Sequence, residues 1–315
     1  MRRVIVFGAL LLVGLAFAQS FGMLDRDHRV SSAWTWAGDV SDEGWLHLRN
    51  SNGTVRIEES SGDSVEIVAS KSWTGRRPQE ISFVANRVGD DVYICALYGG
   101  GGPDSCNEDR YAVRSVSWFK RRVLRVRDVN VGFTVRVPAD ARVNVDTRDG
   151  RISVNAPIAA LVAKTRNGSI KAEEPIGSVQ ASSRNGSLSA VIAEGQLAGD
   201  VVMETRNGSV TVELPESVNA NVLLETRNGR VTTDFPLTME KLDNTRSISG
   251  TLGAGGPKVS LTTRNGSVRL RKRGSAHPTD ADVAATVEAA VAAAMEAAAS
   301  ATEAAVAASE AAKHP

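Results

Sequence analysis

Arginine recurs in one short phrase. Arg148, Arg166, Arg184, Arg206, Arg227 and Arg264 each stand between a Thr or Ser and an Asn-Gly or Asp-Gly. Arg246 belongs to a degraded copy, Thr245-Arg246…Ser249-Gly250, with extra residues between the Arg and the Gly. A guanidinium is a planar fork of donors that keeps its charge and meets phosphate, sulfate or carboxylate oxygens two at a time. Forks at regular intervals suit a polymer that carries such groups at regular intervals. The chemistry to expect is therefore binding of an anionic polysaccharide, a lipopolysaccharide, another charged envelope polymer or extracellular DNA, with no specific reading of nucleic acid. The competing reading is a solvated face whose charge is neutralised locally. Asp146, Glu204 and Glu225 each lie two residues before an Arg and Asp149 one after, and like charges left unrelieved on neighbouring strands repel.

Catalytic chemistry finds little to work with. Four histidines occur, His28, His47, His277 and His314, and no zinc-protease helix, nucleophile elbow, phosphate-binding loop or dinucleotide fingerprint is present. The run Gly99 to Gly102 lacks the Lys-Ser/Thr and the helix that would cradle a phosphate. A β-helix enzyme acting on polysaccharide needs carboxylates gathered on neighbouring coils, whereas the acids of the repeats are scattered. The expectation is no catalytic residue, no metal and no cofactor. Asp104, Glu108 and Asp109 could hold calcium but read by default as an acidic surface loop.

The arginines need elements to position them, and the spacing of their phrase says which. The glycines Gly150, Gly168, Gly186, Gly208, Gly229, Gly250 and Gly266 are 18, 18, 22, 21, 21 and 16 residues apart. A unit of about 20 residues marks a stacked, quasi-one-dimensional fold. Within each unit apolar residues alternate, as in Val201, Met203, Thr205 and then Val210, Val212, which is the period of a strand with one buried face. Asn-Gly tolerates positive φ and marks a corner or a tight turn. Two architectures satisfy this: a row of β-hairpins, or a β-solenoid in which each unit is a coil. Near-identical corners favour the solenoid, because stacked coils select the same residue at the same place. Leu46, Leu48, Asn52-Gly53, Val55 and Ile57 obey the same template earlier in the chain.

The inward Thr of each corner would satisfy buried backbone groups or stack as a hydroxyl ladder. Asn167, Asn185, Asn207, Asn265 and Asn52 fit the N-glycosylation pattern, but turn chemistry already explains them, and they read better as sites of slow deamidation. Trp34, Trp36, Trp45, Trp73 and Trp118 all precede the repeats and read as a packed core before a sugar platform.

The chain thus divides into a signal peptide over 1–18, an irregular N-terminal β region over 30–137, a repeat β-solenoid over 138–272, and an Ala-rich helix or spacer over 279–313. Arg2 and Arg3, an apolar run from Val4 to Ala18 and the small-x-small site Ala16-Phe17-Ala18 make the signal; a retained anchor is the alternative. Cys95 and Cys106 are the chain's two cysteines, and in an exported protein such a pair forms a disulfide. From Asp280 the tail is rich in Ala, the best helix former, behind Pro278 and Thr279. It offers a route to self-association. No apolar run long enough to span a bilayer remains after the signal.

Phe133-Thr134-Val135-Arg136-Val137-Pro138, with Val143 and Val145 beyond, leads into the Asn/Asp-Gly train. Over residues 40 to 270 this resembles the DUF4097 family of bacterial envelope proteins, which bears an adhesin label. The resemblance implies a β-solenoid-like domain in an extracytoplasmic setting and supplies no catalytic residues. This chain departs from the family in its Arg at every corner and its Ala-rich tail. The expectation is an all-β, non-catalytic adhesin-like binding or scaffold module at the periplasm or cell surface; a structural, self-assembling envelope protein is the alternative.

Overall fold

The computed structural model describes residues 28–30, 33–74, 81–98, 102–107, 129–195, 197–243 and 246–274. The signal peptide, Trp118, Glu108, Asp109, His277, His314 and the Ala-rich tail lie outside them. Among the described residues the regular elements are strands, apart from a short 3-10 turn at Pro103–Ser105. Eight strands precede the regular train: β1 (His28–Val30), β2 (Trp34–Gly38), β3 (Trp45–Asn52), β4 (Val55–Glu59), β5 (Val65–Thr74), β6 (Ile81–Val88), β7 (Asp91–Tyr98) and β8 (Val129–Val137). The train itself holds β9 (Arg142–Asp149), β10 (Ile152–Asn155), β11 (Ala160–Asn167), β12 (Ile170–Glu173), β13 (Ser178–Asn185), β14 (Leu188–Val191), β15 (Val201–Asn207) and β16 (Val210–Leu214). It ends with β17 (Ala220–Asn228), β18 (Val231–Thr233), β19 (Thr238–Asp243), β20 (Ser247–Leu252), β21 (Lys258–Asn265) and β22 (Val268–Lys272).

Each repeat is two strands meeting at its Asn-Gly or Asp-Gly corner. The longer strand enters one sheet and the shorter strand enters the other. Alternation decides which face is buried: in β11, Leu161, Ala163 and Thr165 point in while Lys164 and Arg166 are exposed. Repeats then pair in parallel and in register. Val145, Ala163, Ala181, Met203, Leu261 and Leu224 form one inner column, and Ile152, Ile170, Leu188, Val210, Val268 and Val231 another. Burying one such aliphatic side chain contributes about 1.5–3 kcal/mol, so the core between the two sheets is built from many small, equivalent terms. This is a β-solenoid-like stack of parallel two-strand units rather than a row of hairpins.

The order of stacking departs from the order of the chain. The β3–β4 unit, set apart from the train by β5 to β8, pairs with β9–β10 and begins the stack. At the far end β21–β22 pairs with both β15–β16 and β17–β18, so it is inserted between them. The degraded copy is no coil. Its Ser249 and Gly250 lie in β20, which pairs antiparallel with β17 and with β19. The inserted residues put Gly250 inside a strand instead of at a corner, and the antiparallel pair closes that side of β17.

The N-terminal strands extend the same two sheets. β5 and β8 pair antiparallel next to β4, with β1 and β2 on β5. β7 lies parallel to β3 and carries β6. Trp34 stacks on Phe83 at 5.3 Å, Phe83 meets Phe133 edge-on, and Trp36 and Trp73 pack on the same core. The large aromatics therefore serve packing at this end. Cys95 and Cys106 are joined by a disulfide with Cα atoms 5.9 Å apart, and both are fully buried beside Tyr93 and Leu97.

Candidate functional site

The corners carry four parallel rows of side chains and backbone, each with its own job. The Thr row faces in. Thr165 Oγ1 donates to the Gly150 carbonyl at 3.1 Å, Ser183 Oγ to Gly168 at 3.0 Å, Thr205 to Gly186 at 2.9 Å, Thr263 to Gly208 at 2.8 Å and Thr226 to Gly266 at 2.8 Å. Each of these five hydroxyls satisfies a corner carbonyl of the unit before it in the stack, one of the two roles the sequence allowed, whereas the buried Thr147 hydroxyl has no partner among the described residues. In the first unit Asn50 takes the Thr position, and its Nδ2 donates to the Val131 carbonyl at 2.9 Å. Tyr98 donates to Asn50 Oδ1 at 3.1 Å, and burial pushes its phenol far above the ordinary range, opposed by a backbone bond from Asn52.

Glycine is required at the corners for closeness more than for φ. A Cβ on Gly168 would lie 1.9 Å from the Gly150 carbonyl oxygen, one on Gly186 1.9 Å from that of Gly168, and one on Gly266 2.0 Å from that of Gly208. Positive φ occurs at Gly53, Gly208 and Gly266 but not at Gly150, Gly168, Gly186 or Gly229, and at no corner Asn. Asn-Gly and Asp-Gly mark the corners, as the sequence indicates, and the tight approach of stacked backbones is what demands Gly in every unit.

The Asn row explains the Asn. Asn167 Nδ2 donates to Asp149 Oδ1, Asn185 to Asn167 at 2.7 Å, Asn207 to Asn185 at 2.7 Å, Asn265 to Asn207 at 2.7 Å and Asn228 to Asn265 at 2.8 Å. Asp149 as a carboxylate can only accept, so it sets the direction of every amide above it. The sequence showed these Asn as turn residues; only the register reveals them as a ladder.

The Arg row faces out, one residue before the Asn row. In stack order it runs Arg148, Arg166, Arg184, Arg206, Arg264, Arg227, on adjacent parallel strands. With strands about 4.8 Å apart, the row extends roughly 24 Å. Arg148 is partly covered and the other five are exposed. Arg246 is not in the row. It stands exposed immediately before β20, and in β3 the place of the row's Arg is taken by Ser51. Sequence order also misplaces one neighbour, because Arg206 has Arg264 beside it and not Arg227.

Local neutralisation reaches only one end. Arg148 Nε lies 3.7 Å from Asp149 Oδ2. Asp146 instead meets Arg49 Nη1 at 3.3 Å. Burial raises the Asp146 carboxyl above its ordinary range, with Arg49 and then Lys164 opposing. Among the described residues no carboxylate lies within ion-pair distance of Arg166, Arg184, Arg206, Arg264 or Arg227. A second polar group lies near the start of the stack, where His47 stacks on Tyr93 at 4.3 Å and its Nε2 is 3.2 Å from Asp91. Among the described residues no three of His, Cys, Asp and Glu gather in a way that would hold a metal ion, and no helix is long and apolar enough to cross a membrane.

No curated protein matches the chain. Among solved structures it is similar to a Clostridium sporogenes protein provisionally named for cell adhesion, at 12% identity and a TM-score of 0.41, over 77% of this chain and 100% of that one. It is also similar to a Bacteroides fragilis protein provisionally named an adhesin, at 8% identity and a TM-score of 0.28, over 76% of this chain and 97% of that one. Residues 126–271, from β8 through nearly all of β22, match the family described as Toastrack DUF4097.

Proposed function

We propose that the protein is an exported, non-catalytic binding module whose outward Arg row takes the repeating anionic groups of an envelope polymer such as an acidic polysaccharide. One observation carries this: six guanidiniums stand at strand spacing on one face, and five of them have no acidic partner among the described residues. A charged polymer is the ligand that meets such a row, because it presents charges along a line as the row does. A small anion would use one or two forks and leave the rest idle. The buried disulfide fits an oxidising, extracytoplasmic setting, and the adhesin-like role follows from a surface that binds without reacting.

The test uses the full chain and an acidic polysaccharide at low and moderate salt. Binding should saturate and weaken with salt, since exposed charges are screened beyond a Debye length of about 8 Å at physiological ionic strength. Replacing Arg206 and Arg264 together by Ala should weaken it about tenfold, the loss of about 1.4 kcal/mol. Arg246→Ala, off the row, should leave it unchanged. Equal loss from the Arg246 variant, or salt-independent binding, contradicts the proposal.

A further inference from the structure

The stack has a polarity that singles out one Asn-Gly pair for spontaneous modification. The chain holds Asn52-Gly53, Asn167-Gly168, Asn185-Gly186, Asn207-Gly208, Asn228-Gly229 and Asn265-Gly266. Deamidation of such a pair begins when the glycine nitrogen loses its proton and attacks the Asn Cγ. A C–N bond forms, the Cγ–Nδ2 bond breaks and ammonia leaves. Water then opens the five-membered succinimide at either carbonyl, giving aspartate or isoaspartate. A glycine N–H held in a backbone hydrogen bond cannot supply that nitrogen without local opening.

In the stack each corner glycine donates to the next unit. Gly53 N–H bonds the Asp149 carbonyl at 2.8 Å, Gly168 that of Asn185 at 3.0 Å, Gly186 that of Asn207 at 2.9 Å, Gly208 that of Asn265 at 2.9 Å and Gly266 that of Asn228 at 3.0 Å. The β17–β18 unit is the last. Gly229 N–H has no acceptor among the described residues and Gly229 is exposed. The side chain tells the same story independently. Each Asn within the ladder both donates and accepts, whereas Asn228 donates to Asn265 and its Oδ1 receives no donor among the described residues.

We infer that Asn228-Gly229 is the deamidation site of the folded protein, and that stacking protects the other five pairs. The product matters for the row it adjoins. Aspartate at 228 places a new carboxylate one residue after Arg227. It also brings a second acceptor-only group to a ladder that already ends on Asp149, so two acceptors must face each other somewhere along it. Conversion is therefore a slow, one-way loosening of the end of the stack and a weakening of its cationic face there.

The experiment ages the full chain at mildly alkaline pH and follows the one-dalton gain at each Asn-Gly by peptide mapping, with isoaspartate counted separately. Rates are normalised to the chain in denaturant, where all six nitrogens are free. In the folded protein Asn228 should convert at least about tenfold faster than the other five, because terminal units open more readily than interior ones. Equal normalised rates at all six sites, or an interior pair converting first, would overturn the inference. The result does not depend on whether the Arg row binds a polymer, so the two ideas can fail separately.

Discussion

At the scale of single residues the corner is a set of separate constraints on adjacent positions. Thr caps a carbonyl, Asn extends an amide ladder, Gly lets two backbones touch, and Arg is left with solvent. The first three can be tested by stability. Gly186→Ala drives a Cβ into the Gly168 carbonyl oxygen and should lower stability by about 3 kcal/mol, whereas Gly62→Ala, with open space around it, should change it by less than about 0.5 kcal/mol. Urea melts of the two variants provide the check. Thr205→Val keeps shape but deletes the bond to Gly186; its expected cost is about 1–3 kcal/mol, since a buried carbonyl loses its donor. The sequence displayed all four residue types plainly, and the inward Thr could be deduced from parity alone. The Asn ladder could not, because hydrogen bonds between residues some twenty positions apart exist only once the register is known.

At the scale of elements, period-two alternation told strand from helix and inside from outside, and the structure places those strands as expected. What the alternation does not encode is which unit lies beside which. β15, β17 and β21 end in the same Thr-Arg-Asn, so each fits next to either of the others, and local pattern cannot say that β21 lies between. The chain topology decides it: β19 and β20 occupy the outer side of β17 in antiparallel pairing, leaving only the inner side for the returning strand. The same pairing removes Arg246 from the row. Met203, fully buried in the inner column of β15, makes the packing testable. Met203→Ala should cost about 2–5 kcal/mol through the cavity it leaves, read as a fall in the denaturation midpoint with an unchanged denaturant slope.

At the largest scale the described strands form one stack, and both what stabilises it and what it offers to a partner are distributed along its units. The N-terminal end is reinforced by large aromatics and by the disulfide, while at the far end antiparallel strands cover β17 up to Glu225 and leave its corner open. Cys95→Ser with Cys106→Ser releases a short loop and should cost about 2–4 kcal/mol. The loss should appear in thermal melts and be matched by reduction of the native chain. The Arg row inherits its regularity from the stack, so its function stands or falls with the order of the units. A double-mutant cycle of polymer binding tests that most directly, comparing Arg206→Ala with Arg264→Ala and Arg206→Ala with Arg227→Ala. Neighbours on one bound polymer should be coupled, by about 0.5 kcal/mol or more. The pair adjacent in the stack, Arg206 and Arg264, should therefore couple more strongly than Arg206 and Arg227, although the latter are closer in sequence. Equal coupling in both pairs, or no effect of any of the three substitutions, would contradict a row of arginines acting together on one ligand.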